Sequence, residues 1–322
     1  MSMRLSIALS SILLILGVGM GACAPQMPAS PAETVTIRMA LLPIVENLPM
    51  YVAQQEGLFA QHNINLEIIP AASAAERDQI FVAGQVDGLI NEIISVQLYN
   101  KDQVQIQIVR FARVSTSTSA QFFIMVAGNS DIQSTLELSG VPIGISEGTI
   151  IAYVTDRLLE AEGLVPEQIQ TLAVPKMPDR MALLSSGELK AATLPDPLSF
   201  LAEQQGARIL LDDSQYPRYG HSTYAFRASF IEQNPQAVSG FLAAIEKATE
   251  IINTDPSRWE TLLSEQNLIP ATLLGSYKIP PFPPASVPDQ ALWDDVLTWS
   301  QAKGLLDGEI SYASSVTSEY LP

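Results

Sequence analysis

The chain has 322 residues, 47% hydrophobic and 16% charged, enough to bury one large core or two ordinary ones, and its 17 basic and 34 acidic residues leave a net charge of −17. That charge repels nucleic acid and anionic headgroups, so neither is expected as a partner of the folded surface. Two histidines and one cysteine supply no zinc cluster and no intrachain disulfide, and no metal or cofactor is expected.

The amino terminus carries the strongest pattern. Arg4 gives a small positive start, Leu5 to Val18 is an apolar run too short to remain as a spanning helix, and Gly21-Ala22 are small residues ahead of Cys23. This resembles a bacterial lipoprotein signal over residues 1–22, in which the Cys23 thiol receives a diacylglycerol and becomes the first residue after cleavage. Met20 stands where that pattern usually has Leu, and an ordinary secretory signal with a chance cysteine is the alternative. The resemblance implies lipid anchoring to the cell membrane on its extracytoplasmic side. Prolines at 25, 28 and 31 make residues 23–33 an extended tether, and no later segment is apolar for long enough to span a membrane.

Thr36 to Leu42 reads as a buried strand stopped by Pro43, and Leu48, Tyr51, Val52 and Phe59 recur at helical spacing behind Glu46-Asn47. In an open α/β sheet the loop leaving the carboxyl end of a strand receives the ligand, because the next helix presents unpaired N–H groups there. Glu46, Asn47 and, behind them, Tyr51 are therefore the first expected contacts with a small molecule. Ile64 to Pro70 alternates as a second strand, and a helix from about Ser73 stops at Gly84. Val86 to Ile90 is a short strand that delivers Asn91 and Glu92 to its carboxyl end. An amide both donates and accepts, which suits the edge of a heteroaromatic ring. The alternative is a solvated helix start, with Glu92 favoured by the dipole. Ile93 to Tyr99 is the next helix, and Val104 to Phe111 a fourth strand that runs out near Arg113 and the hydroxylic stretch Ser115 to Ser119.

Gln121 to Ala127 is strongly strand-like. Val141 to Ile145 then feeds Ser146-Glu147-Gly148-Thr149 into a helix from Ile150 to Glu162 that closes at Gly163. Small and hydroxylic residues at a helix start leave N–H groups free for an acidic or carbonyl oxygen, so Ser146, Gly148 and Thr149 are candidates, against plain capping by Ser146. Glu147 is an awkward neighbour for an anion. Thr171 to Val174 is a strand, Arg180 to Ser186 a short helix, and Ala191 to Leu194 a strand ending in Pro195-Asp196-Pro197, where Asp196 either touches ligand or caps the next helix. Arg208 to Leu211 closes this block and Ser222 to Phe226 returns to the first one. From Ser229 the chain turns helical over Phe230 to Asn253, Ser257 to Gln266 and Asp289 to Lys303, with a proline-rich loop from Pro270 to Pro288. Phe111 and Tyr224 are candidate walls for a flat ligand. Arg113 is either an anion partner or a hinge salt bridge. The layout is two α/β lobes, residues 34–118 with 225–322 and residues 119–224, joined by crossings near Arg113 to Gln121 and Pro217 to Tyr224.

The stretches LPMYVAQQEGLFAQHNINLEI, AAERDQIFVAGQVDG, NSDIQSTLELSGVPIGISEGT, LPDPL and EQNPQAVSGFLAAIEKA together resemble, in order, the solute-binding proteins of bacterial ABC importers that take sulfonates, nitrate, thiamine precursors or riboflavin. The resemblance covers about Thr34 to Pro322. It implies a periplasmic-binding-protein type II fold, two α/β domains on a two-strand hinge, that closes on a ligand and passes it to permease and ATPase subunits as a monomer. It implies no catalysis, although the wider family includes a fungal-type pyrimidine synthase with a cysteine cluster that this chain lacks. The expected loops hold Glu46, Glu92, Glu147 and Asp196 against Arg113. That argues for a neutral or cationic planar ligand, riboflavin first, with a thiamine pyrimidine precursor or a sulfonate or nitrate as alternatives. Readings of other classes are an extracellular sensor domain or a secreted hydrolase using Glu92 and Glu147 as a carboxylate pair.

Overall fold

The computed structural model describes residues 33–322; the expected signal, the lipidation site Cys23 and all of the tether but Glu33 lie outside the described residues. Five strands form the first sheet in the order β2-β1-β3-β10-β4. β1 (Val35–Leu41) runs parallel to β2 (Ile64–Pro70) and β3 (Gly88–Asn91), while β10 (His221–Arg227) lies antiparallel between β3 and β4 (Ile106–Val114). β1, β3 and β4 therefore point the same way and bring Glu46-Asn47, Asn91-Glu92 and Arg113 to one edge. The boundary expected after Tyr224 falls inside β10, because the alternating pattern there does not mark where a returning strand first pairs.

Between these strands lie α1 (Leu48–Gln55), α2 (Leu58–Gln61), α3 (Ala74–Val82) and α4 (Ile93–Tyr99). The helical pattern from Leu48 to Phe59 is split because Gly57 takes a left-handed φ of 68° between α1 and α2.

The second sheet has the order β7-β6-β8-β5-β9. β6 (Pro142–Ile145) is parallel to β7 (Gln170–Ala173) and β8 (Ala191–Pro195), and β5 (Phe122–Val126) is antiparallel to β8 and β9 (Arg208–Asp212). With it go α5 (Ile150–Ala161), α6 (Met177–Ser186) and α7 (Leu198–Gln204), the last of which the periodicity did not announce. The carboxyl ends of β6 and β8 carry Ser146 and Asp196.

The remaining helices are α8 (Ala228–Gln233), α9 (Pro235–Thr254), α10 (Glu260–Glu265), α11 (Gln290–Ala302) and α12 (Tyr312–Ser315). The single helix expected from Phe230 to Asn253 is two, since Pro235 has no N–H to continue a helix and instead opens α9. One face of the first sheet packs under α1, α2 and α9 in a core that extends to Trp259, Tyr277 and Phe282. The other face packs under α4 and α11, and that core continues into the second sheet through Tyr153, Trp293 and Trp299. α11 is bonded to both lobes. Gln97 of α4 donates to the Trp293 carbonyl at 3.1 Å, whereas the Trp299 indole donates to Asp156 of α5 and Tyr153 of α5 donates to Asp295, both at 2.7 Å. Among the described residues no helix is long and apolar enough to cross a membrane.

Candidate functional site: the interlobe cleft

Where the two strand edges meet, Arg113 of the first sheet reaches Asp196 of the second, with Nη1 2.6 Å from Oδ2 and both side chains almost wholly buried. Tyr277, from the proline-rich loop that packs on the first lobe, donates its phenol to the same Oδ2 at 2.6 Å. The Arg113 Nη2 donates to the Ala120 carbonyl on the first crossing at 2.9 Å. Burial by itself would weaken the Arg113 cation, but Asp196 and Glu46 beside it raise its pKa above the ordinary arginine value. Burial next to Asp196 likewise pushes the Tyr277 phenol well above its usual range. Asp196 thus does not cap α7, whose N-cap residue is Pro197. Its carboxylate joins the lobes.

Residues at these strand ends and on the two crossings carry polar atoms that are shut off from solvent and have no hydrogen-bond partner. They include the acceptors Glu46 Oε2, Asn47 Oδ1, Gln121 Oε1 and Asp196 Oδ1, the donors Asn91 Nδ2 and Arg113 Nε, and the hydroxyls of Ser222 and Tyr224. Arg113 Nη1, close as it is to Asp196, also lacks an aligned acceptor. Buried polar groups are ordinarily paired, so such a concentration at the meeting of two lobes marks a surface shaped for something polar. Glu46 is 7% exposed; burial raises its pKa, and Arg113 only partly opposes this. The Asn47 amide donates to the Leu42 carbonyl at 2.5 Å, which fixes its oxygen, and Thr223 donates to Asn91 Oδ1 at 3.0 Å, which fixes the Asn91 NH2 group.

The hinge itself is pinned by Asp213. Its carboxylate accepts from Ser115 Oγ at 2.5 Å and from the Gln121 N–H at 2.8 Å, and the Ser115 N–H donates to the Gly220 carbonyl at 2.9 Å, so the two crossings are sewn together. Burial pushes the Asp213 carboxyl up to about 6, against the pull of Ser115, the Gln121 and Phe122 N–H groups and Arg113. Burial lowers His221, at the start of β10, to about 4, opposed by its bond to the Tyr219 carbonyl.

The other candidates lie elsewhere or are engaged. Glu92 is bound within the first lobe, accepting from Ser95 Oγ at 2.6 Å and from Arg77 at 3.3 Å, so its carboxylate is not presented to a ligand. The Tyr224 ring is fully buried under Phe241 rather than forming a wet wall, although its unpartnered hydroxyl lies within electrostatic reach of Glu46 and Arg110, and Tyr51 is half-buried against the first lobe's core. Phe111 lines a crevice of about 360 Å³ between the hinge strands and the start of α11, with Val114, Pro217, His221 and Leu292, apart from Glu46 and Asp196. The Ser146 hydroxyl is held by Arg180 and the Pro175 carbonyl. Thr149, not Ser146, caps α5 by accepting from the Ile151 N–H at 3.2 Å. Gly148 turns the loop with φ 68° next to Leu305. Among the described residues no group of three His, Cys, Asp or Glu side chains is placed to hold a metal ion. Tyr277, Gln121 and Ser222 were missed in the sequence because each owes its position to pairing across the fold.

The profile of a known family matches residues 45–258, the stretch that supplies Glu46, Asn91, Arg113, Asp196 and both crossings; its description is "NMT1/THI5 like". The chain belongs to the NMT1/THI5-like family. A Haemophilus influenzae protein named for thiamine biosynthesis is 23% identical over 242 residues, 74% of this chain and 75% of its own. An Escherichia coli protein named for binding aliphatic sulfonates is 28% identical over 156 residues, 48% of each chain. Among solved structures, the alkanesulfonate-binding protein SsuA of Xanthomonas axonopodis pv. citri, bound to MOPS, superimposes with a TM-score of 0.74 at 16% identity, over 89% of this chain and 99% of its own. That likeness establishes the fold, the two-lobed architecture of periplasmic binding proteins.

Proposed function

We propose that the protein is the solute-binding component of a bacterial ABC importer, tethered to the extracytoplasmic face of the membrane through lipid on Cys23, and that it captures a small nitrogen-bearing ring between its lobes. The observation that carries this reading is the set of buried, unpartnered polar atoms contributed from both sides of the Arg113–Asp196 contact. A solute lying there would satisfy groups of both lobes at once and so would favour the closed form over the open one. Glu46 and Asp196 against Arg113 leave the cleft short of positive charge, which speaks against sulfonate or nitrate as cargo. A single pyrimidine ring suits this compact set better than the three fused rings of riboflavin, and the thiamine-linked relative supports the pyrimidine alternative.

No chemistry is assigned to the cleft. Glu92 is engaged by Arg77 and Ser95, and Glu147 is exposed, so the two do not form a working carboxylate pair. The test is calorimetric titration of the protein with the aminopyrimidine precursor of thiamine, riboflavin, ethanesulfonate and nitrate. Micromolar or tighter uptake of the aminopyrimidine alone supports the reading. Preferential uptake of either anion sinks the ligand class, and uptake of none sinks the capture role. Gene neighbours encoding a permease and an ATPase distinguish an importer from a sensor domain.

A further inference from the structure

Among the described residues the buried carboxylates are answered by donors, and Glu46 and Asp196 each keep one oxygen without a partner. Asp87 receives two bonds from Arg38 at 2.8 and 3.0 Å, Glu92 receives Arg77 and Ser95, and Asp156 receives Trp299 and Lys303, both at 2.7 Å. Asp196 has Arg113 and Tyr277, and Asp213 has Ser115 and the Gln121 N–H. Glu46 is as buried as these, yet its Oε2 has no donor: its own N–H bonds to the carboxylate, no other residue's side chain donates to it, and the nearby Arg113 is already in contact with Asp196. A carboxylate oxygen held away from water without a partner is destabilising, and such groups persist where binding needs them.

Its surroundings tell what it would read. Asn47 Oδ1 and Asp196 Oδ1 are likewise acceptors without donors, and the Tyr224 phenol close by has no partner. Unpartnered donors lie here as well, Asn91 Nδ2 and Arg113 Nε and Nη1, but two carboxyl side chains, Glu46 and Asp196, stand against the one cation, Arg113, and they are held in place by the Asn47 bond to Leu42 and by the Asp196 ion pair. The matching group is one that offers N–H donors in a plane: a protonated ring nitrogen, an amidine, or an exocyclic amine beside a ring nitrogen. An anion placed there would face an uncompensated carboxylate.

We infer that Glu46 is the specificity-determining residue of the cleft, selecting solutes that present N–H donors or positive charge and rejecting anions. This rests on the reading of the cleft as a solute site. The experiment compares the full-length protein with its Glu46→Gln variant, titrating each with the aminopyrimidine and with ethanesulfonate and melting each without ligand. The glutamine keeps size and one acceptor while removing the charge. The expected result is a loss of at least tenfold in aminopyrimidine affinity together with a higher melting temperature for the ligand-free variant, the combination that a merely structural glutamate would not give. Equal aminopyrimidine affinity in the two proteins, or a lower melting temperature in the variant, overturns the assignment and leaves solute capture standing. Ethanesulfonate preferred by the wild type overturns it as well. If the wild type takes neither probe, the cleft reading fails and this inference with it.

Discussion

Replacing Tyr277 with Phe removes one hydrogen bond that exists only while the lobes are together. The phenol donates to Asp196 at 2.6 Å across the cleft, and the ring itself stays packed in the first lobe's core, so the substitution leaves the fold of each lobe intact. A hydrogen bond to a charged acceptor is worth about 1.5–3 kcal/mol. With Arg113 still on Asp196, the closed form loses about that amount relative to the open one, which shifts the closed-to-open ratio by about ten- to a hundredfold. Single-molecule energy transfer measures the ratio directly. Dyes would sit on cysteines placed at the exposed positions Lys247 in the first lobe and Glu188 in the second, with Cys23 replaced by serine. The variant should populate a second, longer distance without ligand, and its ligand affinity should fall in step. An unchanged distance distribution with affinity within twofold of the parent would refute the view that the Arg113–Asp196–Tyr277 contact holds the lobes shut.

Asp213 and His221 should pull the pH dependence of stability in opposite directions. Asp213 titrates near 6 in the fold against 3.8 ordinarily, so the native state holds a proton that the unfolded chain has released, and the associated stability is lost as pH rises from about 4 to 6. His221 titrates near 4 against 6.5, so the native state resists a proton that the unfolded chain takes, and stability is lost as pH falls over about 6.5 to 4. Each amounts to about 3 kcal/mol. Urea melts across that range should therefore slope downward with rising pH in His221→Phe and upward in Asp213→Asn, with the parent flatter than either. Gly220→Ala should destabilise the hinge by about 2 kcal/mol or more, because the added methyl would overlap Asp213 Oδ2 and Ser115 Oγ; chemical denaturation gives the value. Trp299→Phe should lower unfolding free energy by about 1.5–3 kcal/mol through loss of the indole bond to Asp156, measured the same way.

Most of the scaffold could be read from local pattern. The strands at Thr36, Ile64, Gln121 and Val141 declare themselves by alternation or by an apolar run between breakers, and these four lie within a residue of that reading, whereas β4 runs three residues beyond the expected end at Phe111. The misreadings have local causes as well, a left-handed glycine at 57 and a proline at 235 inside otherwise helical stretches. The site was less legible. Glu46 and Asp196 were singled out because they stand at strand ends, and both reach the cluster, but Tyr277 lies 81 residues from Asp196 in a loop whose composition says only that it is not helical. Arg77 and Arg180 are the counter-lesson. A charged residue on a short helix gives no sign that it will be buried, yet Arg77 claims Glu92 and Arg180 claims Ser146, which takes two expected contacts away from any solute.

α11 carries a mechanical implication. Through Trp293 and Trp299 it is cemented to one lobe and bonded to the other, on the side of the first sheet opposite Tyr277. With the paired crossings it forms a spine, and prising the spine apart would tear open a tryptophan-rich core. On the Tyr277 side the lobes meet through the Arg113–Asp196–Tyr277 contact and the edge-on packing of Phe200 of α7 against the Tyr277 ring, without a tryptophan-rich core. The lobes are therefore expected to part on the side away from α11, like a book whose binding is glued along one margin, so that any change of shape on filling the cleft is greatest at the fore-edge and least at the spine.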